Sequence, residues 1–128
     1  DAVQMGTRFI GTYECDASDV LKQVLLNAKE EDIVIVSSPV GYPGRAVKTN
    51  LIKTLEPNTK KIKCISNCIF PCERGKGANR VGYCIADSLG DAYLGRLQSG
   101  LFFSGANGWR LKELVHVKDL IDELMTTN

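Results

Sequence analysis

The chain has 128 residues, a net charge of +1 and a single histidine, with 44% apolar and 24% charged residues. That length supports one domain with a real core and excludes two comfortable ones, and the balance is that of an ordinary soluble globular chain. So small a net charge excludes a field strong enough to imply nucleic acid or an anionic membrane surface. No apolar run approaches the ~18 residues of a membrane span.

The chain opens at Asp1 without an initiator Met and without a signal-peptide pattern, which reads as a cytoplasmic protein and as a processed or excised piece. Residues 2–9 read as a short strand that ends in Gly6-Thr7. Residues 14–19 then supply several N-cap candidates for a helix carrying Leu21, Val24, Leu25 and Ala28 on one face. After Lys29-Glu30-Glu31-Asp32, the run Ile33-Val34-Ile35-Val36 is of strand type, and Pro39, Gly41, Pro43 and Gly44 force a loop. Residues 45–55 fit either a helix or an irregular stretch. Residues 57–81 are the least regular part, holding most of the cysteines and a basic loop with Arg74, Lys76 and Arg80. A helix is expected from Tyr83 with Gly95 as its stop, then a buried strand over 100–105 and the turn Ala106-Asn107-Gly108. The chain ends in an amphipathic helix whose inner face is Val117, Leu120, Ile121 and Leu124.

Four places could carry chemistry. At Gly6-Thr7, a strand end with a glycine and a hydroxyl residue exposes backbone N–H groups to a phosphate, although the same pair also makes plain turns. The spacing Cys64-x3-Cys68-x3-Cys72-x11-Cys84 can converge four thiolates on zinc or an iron–sulfur cluster, with free buried thiols or disulfides as the other readings. It is not the paired C-x2-C arrangement of a zinc ribbon. Arg74, Lys76 and Arg80 could meet a nucleotide phosphate or be merely solvated. Residues 104–109 put small residues and one amide where backbone could approach a flat ligand, or form a turn anchored in the core by Trp109. His116 reads as a surface or locally capped histidine and is assigned no catalysis.

Gln4-Met5-Gly6-Thr7-Arg8-Phe9, followed by Glu14-Cys15-Asp16 and Gly44-Arg45-Ala46, resembles the C-terminal region of the 2-nitropropane dioxygenase (nitronate monooxygenase) family, to which the flavin-dependent enoyl-acyl-carrier-protein reductases are related. Gly82-Tyr83-Cys84-Ile85-Ala86-Asp87 and residues 100–108 resemble a cysteine-bearing branch of it. The resemblance implies an α/β fold: the C-terminal portion of an FMN-binding (β/α)8 barrel. Residues 1–30 would be the last barrel strand and following helix, and residues 31–128 an appended α+β region, all within a single unit of 1–128. It further implies FMN held at Gly6 and Thr7, with NAD(P)H and a small-molecule substrate as partners. A whole barrel needs at least ~200 residues, so the seven earlier strands and the family's catalytic histidine are missing, and the chain alone is expected to be inactive. Unpaired edges on strand 2–9 would favour a homo-oligomer. The competing expectation is a small structural or oligomerisation module clamped by the four cysteines.

Overall fold

The computed structural model of the protein describes residues 3–55 and 82–126. Chain order is α1 (Thr7–Ile10), α2 (Asp19–Asn27), β1 (Ile33–Val36), β2 (Gly44–Val47), α3 (Asn50–Lys53), α4 (Ile85–Tyr93) and α5 (Val117–Thr126), with short 3₁₀ turns at Glu30–Asp32 and Gly108–Arg110.

Helix α2 starts at one of the expected caps. The Ser18 hydroxyl accepts the Leu21 N–H at 3.3 Å, and Asp19 adds a negative charge to the first turn. Its expected face is the one buried: Leu25 and Ala28 are inside, with Leu21 and Val24 partly covered. Helix α4 ends against that cap, where the Ser18 N–H donates to Tyr93 O. Gly95 follows the helix with φ +78, and a Cβ there would lie 2.9 Å from Val20 Cβ. Conformation and space both select glycine.

Strands β1 and β2 pair antiparallel, Ile33 opposite Val47 and Val36 opposite Gly44. Alternation along this ribbon splits the core in two. Ile33 and Val47 join Leu25, Ala28, Ala92, Phe102 and Leu111 on one side, while Val34, Val36 and Ala46 join Tyr83 and Leu101 on the other. Since α2 shares its core with Val47, Phe102 and Leu111, the helix and the region after it are packed together. Leu25 and Phe102 are among the largest fully buried side chains, each contributing about 1.5–3 kcal/mol of apolar burial.

Several expectations need correction. Residues 3–9 form no strand. A strand is stable only with a neighbour to take its N–H and C=O groups, no described segment lies alongside, and the Phe9 and Ile10 N–H groups fold back onto Gly6 O. The undecided stretch 45–55 divides into β2 and α3, because Ala46 and Val47 are both buried by the layers that enclose the ribbon. The expected strand over 100–105, buried at 100–102 and 104, reduces to one bridge, Ala46 to Phe103, supported by Val47 N–H to Phe102 O and Ser104 N–H to Arg45 O. On the other side the Leu101 N–H is taken by Ser88 O of α4, so the full ladder is diverted. On α5 only Leu120 is buried, whereas Ile121 and Leu124 are 42% and 43% exposed. No described helix is long and apolar enough to cross a membrane.

Candidate functional site

Both ends of the described chain meet at one cleft of about 750 Å³. Residues 3–8 form one wall, residues 105–108 the other, and Leu120 and Leu124 of α5 close the side. A hydrogen bond joins the walls: the Gly105 N–H donates to Thr7 Oγ1 at 2.8 Å. The turn 105–108 can approach so closely because Gly108 has no side chain, and a Cβ there would lie 1.9 Å from Ser104 Oγ. Opposite it, a Cβ on Gly6 would meet nothing within 4 Å, so this part of the backbone faces open space. The Thr7 and Arg8 N–H groups precede the first intrahelical bonds of α1, which begin with the Phe9 and Ile10 N–H groups donating to Gly6 O.

The structure thus brings together two stretches that the sequence offered separately, Gly6-Thr7 and 105–108. It also adds Arg8, a residue of the cleft lining whose Nη1 is buried without a hydrogen-bond partner. Arg8 was visible in the sequence as a cation directly after the Gly-Thr pair, but its burial depends on segments about a hundred positions away. Trp109 is partly exposed rather than a core anchor: Arg110 lies over its ring at 5.2 Å and Lys112 at 6.0 Å.

The cysteine cluster falls largely elsewhere. Cys64, Cys68 and Cys72, with Arg74, Lys76 and Arg80, lie outside the described residues. Cys84, just before α4, is a partly buried free thiol, and among the described residues no group of three or more His, Cys, Asp or Glu side chains is placed to hold a metal.

His116 is a surface histidine held locally by Glu14. It is exposed, its Nδ1 lies 3.1 Å from Glu14 Oε1, and Glu14 Oε2 accepts the Val117 N–H at the start of α5. Partial desolvation pulls the Glu14 carboxyl upward. The hydrogen bonds from its own backbone, Val117 and His116, with the His116 charge, outweigh this and hold it below its ordinary value.

The nitronate monooxygenase family profile matches residues 1–127. A probable nitronate monooxygenase of Staphylococcus haemolyticus (strain JCSC1435) is 33% identical over 54 residues, 42% of this chain and 15% of that protein. One from Staphylococcus aureus (strain Newman) is 33% identical over 55 residues, 43% of this chain and 16% of that protein. Among solved structures, FabK from Thermotoga maritima superposes with a TM-score of 0.70 at 28% identity, covering 98% of this chain and 36% of that one. A mutant of the same FabK gives a TM-score of 0.65 at 25% identity, covering 97% and 32%. The chain spans about a third of the solved structures, and its alignments span about a sixth of those two curated relatives. With a family match that runs from residue 1 to residue 127, the chain belongs to the nitronate monooxygenase family.

Proposed function

We propose that this chain supplies the phosphate end of the cofactor site in an FMN-dependent oxidoreductase, which oxidises nitronates or reduces an activated alkene with NAD(P)H, and that the 128 residues alone do not turn over. The observation that carries the reading is the meeting of Gly6-Thr7 with the turn 105–108 at one open cleft. Family membership supports the flavin. When bound, FMN supplies the electron transfer; the residues present here bind and orient it. Gly6 leaves the backbone open to a ligand, and the Thr7 hydroxyl, held from one side by the Gly105 N–H, would contact the phosphate. Leu120 and Leu124 keep one side of the cleft apolar.

Flavin fluorescence tests this directly. Titrating the chain with FMN is expected to give saturable quenching with no NAD(P)H oxidation above background. Absence of binding up to about 1 mM FMN would count against the reading, and turnover at ~1 per second or more would overturn the claim that the chain alone is inactive.

Two further proposals accompany it. A metal shared by Cys64, Cys68, Cys72 and Cys84 is tested by elemental analysis of protein purified without oxygen, where neither zinc nor iron would leave ordinary thiols. Self-association is proposed at the outer edge of β1, which lacks a strand partner among the described residues and carries Ile35 61% exposed. A clean monomer in sedimentation at ~0.1 mM would exclude it.

A further inference from the structure

We infer that Asn107 is a site of spontaneous deamidation that the folded turn holds in check, so that opening of the cleft wall converts a neutral amide of the lining into a carboxylate. Of the asparagines in the chain, only Asn107 is followed by glycine. That pair is the reactive one, because the attacking atom is the backbone nitrogen of the next residue and glycine sets no side chain in its way. Asn107 is also exposed and lines the cleft.

The chemistry needs only water. The Gly108 nitrogen attacks Asn107 Cγ and forms an N–Cγ bond. The Cγ–Nδ2 bond breaks, and ammonia leaves with the proton that the Gly108 nitrogen gave up. Water then opens the resulting cyclic imide at one of its C–N bonds. Opening at Cγ leaves aspartate, and opening at the original peptide carbonyl leaves isoaspartate, whose main chain runs through Cγ. Nothing is oxidised or reduced. Either product puts a negative charge on the cleft wall. The isoaspartyl form also lengthens the backbone beside Gly108, where a Cβ would already lie 1.9 Å from Ser104 Oγ.

In the folded turn the reaction is blocked in two ways. Ring closure requires the Gly108 nitrogen to eclipse Cβ about the Asn107 Cα–C bond. At φ −97 and ψ 13 it comes close to eclipsing the Asn107 backbone nitrogen instead. The rotation that would correct this is opposed by the turn's own hydrogen bonds: Gly108 N–H donates to Gly105 O, and Arg110 N–H donates to Asn107 O, each at 3.0 Å. Gly105 is in turn tied to the opposite wall by its N–H to Thr7 Oγ1 at 2.8 Å. Deamidation therefore proceeds from the opened turn, and its rate follows how often this wall of the cleft lets go.

Incubating the full chain in mildly alkaline buffer, native and in urea, tests this. Peptide mapping by mass spectrometry locates the replacement of amide by carboxyl, and isoaspartyl methyltransferase counts the isoaspartyl product. Residue 107 is expected to react in urea ahead of every other asparagine, and about tenfold or more slowly in the native chain. Thr7→Val, which deprives the Gly105 N–H of its acceptor, is expected to raise the native rate about fivefold and leave the rate in urea unchanged. No reaction at residue 107 in urea overturns the site itself. A wild-type rate that is equal in buffer and in urea overturns the protection by the turn. A Thr7→Val chain that is folded by circular dichroism yet reacts at the wild-type native rate overturns the link to the cleft wall.

Discussion

The layer around Phe102 and the cleft around Thr7 are built from neighbouring stretches of chain, yet they are finished differently. Around Phe102 the apolar side chains are covered, and buried polar groups such as Asp91 are paired, with Arg96 Nη1 at 2.7 Å from Asp91 Oδ1. The hydrogen bond from Ser99 and that from Arg96, opposed by burial and aided by the Arg96 charge, hold the Asp91 carboxyl below its usual value. Around Thr7 a guanidinium nitrogen is buried without a partner, and the leucine face of α5 is left half open. The first region is complete in itself, and the second lines the cleft to which the phosphate is assigned in the proposal above. Stability is concentrated in one and the proposed function in the other.

The comparison can be broken from the stable side first. Phe102→Ala is expected to lower stability by about 3–5 kcal/mol, read by chemical denaturation. A loss under ~1 kcal/mol would show that Phe102 is not the anchor its burial implies. On the cleft side Gly108→Ala forces a methyl onto Ser104 Oγ and is expected to cost about 1–3 kcal/mol, with FMN binding falling alongside stability. Thr7→Val deprives the Gly105 N–H of its acceptor and should cost about 1 kcal/mol, while Thr7→Ser retains both the bond and FMN binding. Equal FMN binding by Thr7→Val and Thr7→Ser would remove the hydroxyl from the site.

Two titrations sharpen the contrast further. Burial pushes the Tyr83 hydroxyl up to about 12, and in the fold it donates to Ser37 O at 2.8 Å. A raised value in the folded state means that the stabilisation is whole below pH 10 and is lost as pH rises from there through about 12. Tyr83→Phe should flatten that alkaline fall, as followed by melting temperature against pH. Glu14 has the opposite sign: its lowered carboxyl stabilises above the ordinary carboxylate value, and the effect fades as pH drops through it. Because Glu14 is exposed, Glu14→Gln should give the smallest shift of the set, detected as earlier fraying of α5 by hydrogen exchange.

What could be read from the sequence followed the range of the interaction. Leu25 and Ala28 were legible because the spacing of α2 marks its buried face within a few residues, and Ser18 was among the caps because capping is local. Strand Ile33–Val36 announced itself as an apolar run. Its partner Gly44–Val47 did not, because Ala46 and Val47 are buried on opposite faces of a ribbon enclosed by α2 on one side and Tyr83 on the other. At the cleft, the Gly6-Thr7 pair was legible as a motif. Its junction with Gly105 was not, since the two residues are 98 positions apart. The expected strand at 2–9 is not formed over residues 3–9 for the converse reason: the local pattern was there, but no described segment pairs with it.

The start of α5 shows what such distance means in time. Its first N–H is capped by a carboxylate 103 positions earlier, and Tyr13 N–H pairs with Val115 O beside it. These contacts close nearly the whole chain into one loop, so their entropic cost is met only after the Phe102 layer has drawn the ends together. The junction between residues 7 and 105 should therefore be late to form during folding and early to exchange its amide hydrogens in the native state, so that among the described residues the cleft opens before the Phe102 layer does.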